Sequence, residues 1–231
     1  MISTKDQQSL LISVSSKLTK KITAFAIGGT AMMFWGFKDT TLDIDLVFQN
    51  MGDRKEFIAA ARTLDYNFMD PCKVYGTKDN QPIILERVTE RFDLFLDNVI
   101  HFKFSQDMIK RAEKTYEFGN NLIVKIADPH DIILMKCSTD RVKDREDIKN
   151  IIEIMGSDLD WRIIVKEAKT QIELGNLKSV FFIPQTLTEV RNKGVNIPES
   201  IIKKIFGFIE DSMTDKKGWK FSRITDKPKK N

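Results

Sequence analysis

The segment LDIDLVF, residues 42–48, carries two aspartates inside a run that otherwise has the apolar composition of a buried strand. Because side chains two residues apart on a strand point to the same face, Asp43 and Asp45 are predicted to project together. The apolar residues of the segment are then predicted to be buried on the opposite face: Leu42, Ile44, Leu46 and Phe48. For this pair alone, a half-exposed surface strand is the simpler explanation.

A second segment, RFDLFL at residues 91–96, has the same alternation and sets Asp93 opposite Phe92 and its apolar neighbours. If the two strands are adjacent, three carboxylates meet on one sheet face, where their repulsion is costly without a cation. Mg²⁺, with Mn²⁺ as the alternative, prefers oxygen ligands. Metal held by shared carboxylates can activate an attacking hydroxyl and stabilise a leaving pyrophosphate. We therefore expect Asp43, Asp45 and Asp93 to bind metal and to be catalytic.

Two adjacent glycines, Gly28 and Gly29, separate a predicted strand at residues 22–27 from a predicted helix at 30–36. A turn without side chains lets backbone N–H groups approach phosphates, and the following helix N-terminus favours their negative charge. Thr30 adds a hydroxyl for the same phosphates. Neither the glycine pair nor the D-x-D pattern is specific by itself, but together with a third strand aspartate they predict a metal-and-triphosphate site.

The remaining pattern predicts an α+β protein with a mixed sheet, built from a mixed α/β domain at residues 1–127 and a helical domain at 128–214. The predicted helices of the first part lie at 5–20, at 53–64 with Asp53 as the cap, and at 105–113 with Ser105 as the cap. Strands at 82–88 and 91–96 are predicted to form one hairpin, and residues 115–126 a second. The second part is predicted to have helices at 129–138, 142–155, 158–175, 185–192 and 198–212, with a loop at 176–185.

The charge distribution and the cysteine content bear on nucleic-acid binding, zinc binding and cellular location. The net charge of +4 is concentrated in residues 215–231, where seven Lys/Arg stand against two Asp. This basic tail is either a solvated terminus or a contact for nucleic acid. Two distant cysteines and two histidines make a zinc site improbable and suit a reducing compartment. With no signal peptide and no apolar run long enough for a bilayer, we expect a cytoplasmic protein without membrane contact.

A lysine on a predicted apolar helix face is a further candidate. At residues 129–138, Lys136 shares a face with Ile132 and Ile133, so its ammonium either extends past them to solvent or reaches an anion. In the following helix, Asp144 and Asp147 flank the buried stripe. Each could anchor Lys136 or Arg145, or contact a nucleotide, and the sequence leaves these alternatives open.

The stretch GGTAMMFWGFKDTTLDIDLVF, the RFDLF strand and the segment IADPHDIILMKCSTDRVKDREDIKNII resemble the nucleotidyltransferase superfamily, which has the polymerase-beta-like fold. Within it they are similar to AbiEii-type and related uncharacterised prokaryotic proteins. The resemblance covers roughly residues 22–155. Two departures are visible: Gly29 stands where many members have serine, and no arginine lies between the glycine turn and the D-x-D pattern.

The resemblance implies an Mg²⁺-dependent, EC 2.7.7-like nucleotidyltransferase that moves an NMP from an NTP to a hydroxyl of RNA, a protein or a small molecule. It implies phosphate and nucleotide contacts from a set of six residues: Gly28, Gly29, Thr30, Lys136, Asp144 and Asp147. It also implies a toxin-like role with an antitoxin partner. The alternative is a non-catalytic member of the same fold that binds nucleotide, nucleic acid or a partner protein.

Overall fold

The computed structural model describes residues 1–139 and 141–215. Its strands are β1 (Ile2–Ser3), β2 (Ile22–Ala26), β3 (Thr40–Thr41), β4 (Ile44–Phe48), β5 (Asn67–Met69), β6 (Ile83–Arg87), β7 (Glu90–Leu96), β8 (Asn98–Val99), β9 (Phe102–Lys103), β10 (Thr115–Phe118) and β11 (Leu122–Ile126). Its helices are α1 (Thr4–Ser15), α2 (Gly28–Trp35), α3 (Met51–Arg62), α4 (Cys72–Tyr75), α5 (Gln106–Arg111), α6 (Pro129–Cys137), α7 (Val142–Met155), α8 (Trp161–Glu173), α9 (Leu177–Phe181), α10 (Ile183–Asn192) and α11 (Glu199–Asp215).

One mixed sheet organises the N-terminal part, with strand order β10-β11-β2-β4-β7-β6-β5. β2 runs parallel to β11, and β4 runs parallel to β7, whereas β2 and β4 are antiparallel. The predicted hairpins are present as β6–β7 and β10–β11. A short β8–β9 hairpin extends from the end of β7, and β1 pairs with β3 in a separate two-stranded sheet. The predicted α+β fold with a mixed sheet is confirmed.

The helical part is attached to the sheet through α2 and α6. The indole N–H of Trp35 at the end of α2 donates to the carbonyl of Ala127, 2.9 Å away, just before α6 begins. Every residue of α6 is buried, and α7, α8 and α10 pack around it. One cluster of buried apolar side chains runs from α1 and the sheet into these helices. The boundary at residues 127/128 stays a prediction.

Several local predictions were wrong. α1 ends at Ser15 rather than residue 20, and α2 begins at the glycines themselves. Asn50, not Asp53, caps α3: its side chain accepts from the Asp53 N–H at 2.8 Å. Residues 176–185 contain α9 and the start of α10 instead of a loop, because Pro184 stands in the first turn of α10, where its missing N–H costs nothing.

Two further observations bear on the sequence-based expectations. None of the helices in the described ranges combines the length and the apolar character that crossing a bilayer requires. Of the predicted basic tail, only Asp215 belongs to a described element, the end of α11. Residues 216–231, and with them the predicted nucleic-acid contact, lie outside the described residues.

Candidate active site

The turn between β2 and α2 is closely fitted to the strand beside it. Gly28 has a φ of +55°, and a Cβ built on it would lie 2.6 Å from Oδ2 of Asp45. A Cβ on Gly29 would lie 2.5 Å from Oγ1 of Thr41. Glycine is therefore required at the first position by both conformation and space. No side chain of residues 1–139 or 141–215 caps the start of α2, so its first N–H groups are available to an anion.

Thr30 lies beneath this turn, fully buried. Its hydroxyl accepts the Asp45 N–H at 2.8 Å and lies 3.4 Å from the carbonyl oxygen of Asp43, to which it donates. It thereby fixes the D-x-D backbone against the first turn of α2. Its predicted direct contact with phosphate stays a prediction.

The three predicted aspartates meet. Asp45 on β4 is paired in register with Asp93 on the neighbouring β7, and Asp43 lies in the bend just before β4. One carboxylate oxygen from each lies within 4.8 Å of the other two. Asp93 is fully buried, whereas the other two are partly exposed. Three oxygen donors this close suit a hard divalent cation.

The predicted orientation of the segment at 42–48 is correct within β4 and wrong ahead of it. Ile44, Leu46 and Phe48 are fully buried, as the alternation predicts. Leu42 is 58% exposed, because it lies in the bend before β4 and has no sheet face to join.

Two side chains that sequence analysis missed hold the acidic triad. The guanidinium of Arg91 donates through Nε to Oδ1 of Asp93 at 2.8 Å, and it also contacts the carboxylate of Asp43. The hydroxyl of Tyr75 donates to Oδ2 of Asp93 at 2.6 Å. Arg91 precedes Asp93 by two residues on β7, so the alternation argument could have found it. Tyr75 lies on the four-residue α4, which has no recognisable sequence signal.

Burial and mutual repulsion change the protonation of this site. Burial raises the pKa of Asp93 to about 6, although Arg91 and the Tyr75 hydrogen bond oppose the shift. Burial, together with the nearby Asp43 and Asp93 carboxylates, raises the pKa of Asp45 well above its usual range. Burial and the carboxylates of Asp45 and Asp93 also raise the pKa of Tyr75. A cation at the triad would remove the main electrostatic cost of ionising these carboxylates.

The second predicted group forms a buried ion cluster. The ammonium of Lys136 donates to Asp144 at 3.0 Å and to Asp147 at 2.6 Å. Arg141 donates to Asp144 at 3.0 Å, and Lys38 donates to Asp147 at 3.2 Å. Lys136 and Arg141, with a Thr139 hydrogen bond, lower the pKa of Asp144 to about 2 in spite of its burial. Of the alternatives left open by the sequence, anchoring of Lys136 is the one observed, and both aspartates do it.

A cleft of about 340 Å³ joins the two groups. Its polar wall contains Gly28, Gly29, the D-x-D pair, and the cluster around Lys136. The apolar and aromatic part of the lining includes Val74, Tyr75, Phe95, Val99, Ile100 and Phe182. Of the predicted site residues, Thr30 and Asp93 lie behind the cleft surface, and the other seven line it.

The sequence matches the family DUF6036, described as a nucleotidyltransferase of unknown function, over residues 8–180, about three quarters of the chain. The chain belongs to this nucleotidyltransferase family. The match includes the glycine turn, the acidic triad and the Lys136 cluster, so the predicted superfamily is confirmed. No curated protein matches the sequence.

Solved structures with a related fold are distant. The structure of ANT(2")-Ia in complex with adenylyl-2"-tobramycin is 16% identical, with a TM-score of 0.42, over 66% of this chain and 91% of that chain. A protein from H. pylori, provisionally assigned as a nucleotidyltransferase, is 8% identical with a TM-score of 0.42, over 91% and 93%. At these scores neither structure carries an argument about the site.

Proposed function

We propose that this chain is a metal-dependent, EC 2.7.7-like enzyme that transfers a nucleoside monophosphate from an NTP to a hydroxyl acceptor. The observation that carries the proposal is the convergence of three carboxylates within 4.8 Å beside an uncapped helix N-terminus. A carboxylate cluster alone, or a glycine turn alone, is compatible with many functions. Together they provide one site for a cation and one for a triphosphate, in contact with each other.

The residues fit a hard divalent cation, because the donor set consists of carboxylate oxygens. Asp43, Asp45 and Asp93 would hold Mg²⁺ or Mn²⁺, which would neutralise the triphosphate and lower the barrier to attack on its α-phosphorus. The Gly28–Gly29 turn binds phosphate oxygens through backbone N–H groups. Asp93, the third carboxylate of the triad, takes the proton from the acceptor hydroxyl.

We propose that the cluster of Lys136, Asp144 and Asp147 helps to bind the nucleotide, with Lys136 in an indirect role. Since the ammonium of Lys136 is already bound to Asp144 and Asp147, it acts mainly by holding these carboxylates in the cleft wall. The exposed guanidinium of Arg141 and the ammonium of Lys38 are then the nearer partners for phosphate oxygens.

The cleft favours an anionic acceptor such as RNA over a polycationic small molecule. Among the described residues, six basic side chains line it, namely Lys38, Lys78, Arg91, Lys136, Arg141 and Lys143. Four carboxylates of the described residues line it, and two of them are the proposed metal ligands. An acceptor entering this cleft would therefore meet more basic than acidic side chains, which disfavours a polycation. Phe182, partly exposed in the same cleft, offers a ring on which a base can stack.

A second candidate function is non-catalytic nucleotide or nucleic-acid binding. One observation favours it: Arg91 already contacts two of the three carboxylates, so the triad is neutralised in part without a metal. The AbiEii-type assignment and a toxin-like role with an antitoxin partner rest on the resemblance alone; an antitoxin gene adjacent to this one would support them. We keep the cytoplasm as the proposed location, since two separate cysteines suit a reducing compartment.

The test incubates the protein with each α-labelled NTP, total RNA and small hydroxyl compounds, in Mg²⁺, Mn²⁺ or EDTA. We expect label transfer with metal, none with EDTA, and none from Asp45→Asn. Asp107→Asn is the matched control, because Asp107 is an aspartate outside the cleft whose partner is Lys166, and it should transfer label like the wild type.

The same preparations are assayed for nucleotide binding, which separates the two candidate functions. Binding by wild-type protein without transfer to any acceptor would favour the non-catalytic candidate. Equal transfer by wild type and Asp45→Asn would refute a catalytic role for the triad.

A further inference from the structure

Tyr75 places a hydroxyl at the acidic triad. Its Oη lies 2.6 Å from Oδ2 of Asp93. The Asp93 carboxylate is the general base of the proposed function. The ring packs edge-on against Phe95, with centroids 6.1 Å apart, and it lines the cleft. A general base must lie within hydrogen-bond reach of the proton that it removes. Tyr75 is a hydroxyl that already meets this condition.

The order of contacts across the site puts this hydroxyl on the acceptor side. The Gly28 turn abuts Oδ2 of Asp45, Asp45 is paired with Asp93 across β4 and β7, and Asp93 accepts from Tyr75. Phosphate would bind at the glycine turn, and Tyr75 stands at the other end of this row. An attacking hydroxyl belongs at that end, because the leaving pyrophosphate must depart on the side opposite to the attack.

We propose that Tyr75 is itself an acceptor, so that the enzyme attaches a nucleoside monophosphate to its own tyrosine. The inference rests on the proposed function, since the NTP is the co-substrate. The Tyr75 oxygen forms a bond to the α-phosphorus, its proton passes to the Asp93 carboxylate, and the bond from the α-phosphorus to the bridging oxygen breaks. Pyrophosphate leaves with that electron pair, and the product is a tyrosyl nucleotide phosphodiester.

The surroundings of Tyr75 allow the small movement that such a step needs. α4 is a single turn, and Gly76 directly after it has a φ of +65° and no atom of the described residues within 4 Å of its Cβ position. The chain has two other tyrosines. Tyr66 donates to Glu90 at 2.7 Å, away from the cleft lining, and Tyr116 lies on the edge strand β10, where it stacks on Phe34.

The experiment incubates the full chain with an α-labelled NTP and Mg²⁺ or Mn²⁺, without added acceptor. Intact-mass and peptide mass spectrometry then locate any label, and a parallel reaction with RNA and small hydroxyl compounds measures transfer to outside acceptors. We expect one nucleoside monophosphate on the wild-type chain, located at Tyr75. Tyr116→Phe, which removes a phenol outside the cleft, should label like the wild type, and Tyr75→Phe should fall to the background of Asp45→Asn.

The outcomes separate this inference from the proposed function. Transfer to outside acceptors without label on Tyr75 would overturn the inference and leave the proposed function standing. Label on another residue, or undiminished label on Tyr75→Phe, would also overturn the inference. Tyr75 would then be a residue that positions Asp93 through its hydrogen bond. If wild-type protein transfers nothing to itself or to any acceptor, both proposals fall. Peptide mapping of wild-type protein decides the point even if Tyr75→Phe does not fold.

Discussion

Replacing Lys136 by methionine removes an ammonium that joins two buried carboxylates while keeping a side chain of similar length. Lys136 is 6% exposed, and its partners Asp144 and Asp147 are 1% and 6% exposed. Two charge-assisted hydrogen bonds, of 3.0 and 2.6 Å, are lost. The carboxylates remain buried, and their desolvation is no longer offset by this cation.

The expected loss lies at the lower end of the range for such changes. Removing one partner of a buried ion pair costs about 3–5 kcal/mol. Asp144 retains Arg141 at 3.0 Å, and Asp147 retains Lys38 at 3.2 Å, so neither carboxylate is left alone. We therefore expect Lys136→Met to lower the free energy of unfolding by about 3 kcal/mol without any ligand.

Urea unfolding of the ligand-free protein measures this loss, with Lys166→Met as the matched control. Lys166 also binds an aspartate, Asp107 at 2.7 Å, but its side chain is 68% exposed, so its loss should cost under about 1 kcal/mol. If the two variants lose equally little stability, the cluster does not hold α6 to α7. A defect of Lys136→Met confined to nucleotide affinity would instead place the ammonium on the phosphates.

Gly28→Ala should lower the transfer rate about a hundredfold or more, because its Cβ would lie 2.6 Å from Asp45. Gly36→Ala is the control: Gly36 has a φ of +77° and no described atom within 4 Å of its Cβ position, so this variant carries the same backbone penalty and should keep the wild-type rate. Mn²⁺ affinity, measured by electron paramagnetic resonance, should fall as pH falls through about 6, the pKa of Asp93. The affinity falls with falling pH because metal binds the ionised carboxylate, and the raised pKa of Asp93 lets protons compete with metal at higher pH than usual. A constant Mn²⁺ affinity from pH 8 to 5 would contradict this prediction. Arg91→Leu should destabilise the metal-free protein by about 2–3 kcal/mol, since fully buried Asp93 loses its cation. Its melting temperature should then rise more on adding Mn²⁺ than that of the wild type, and an equal rise would refute the argument.

The parts of the fold that could be predicted are those governed by local periodicity. The strands β2, β6, β7 and β11 and the helices α6 and α7 were predicted within about a residue, because alternation and helical spacing report one buried face directly. β5, α4 and the β8–β9 hairpin were not predicted. They are two to four residues long, too short to establish a period, and they owe their form to the sheet beside them.

The site follows the same division. That Asp45 and Asp93 share a sheet face could be predicted, because alternation sets the face on which each lies. Asp43 reaches them from the bend before β4, where alternation does not apply. The register that sets Asp45 beside Asp93 depends on which strands are neighbours, and this is a property of the packed sheet. The partner of Lys136 was open in the sequence for the same reason, since α7 had to pack on α6 before its aspartates could reach it.

The sequence by itself determined the acids, the glycine turn and the faces on which they lie, since these depend on side-chain period and backbone freedom within a few residues. Only the tertiary structure decided that Arg91 also contacts Asp43 and that the hydroxyl of Tyr75 donates to Asp93. Tyr75 lies on a one-turn helix, and the strand β6 separates it along the chain from Asp93 on β7. Such contacts depend on how strands and helices pack, and no local pattern in the chain encodes them.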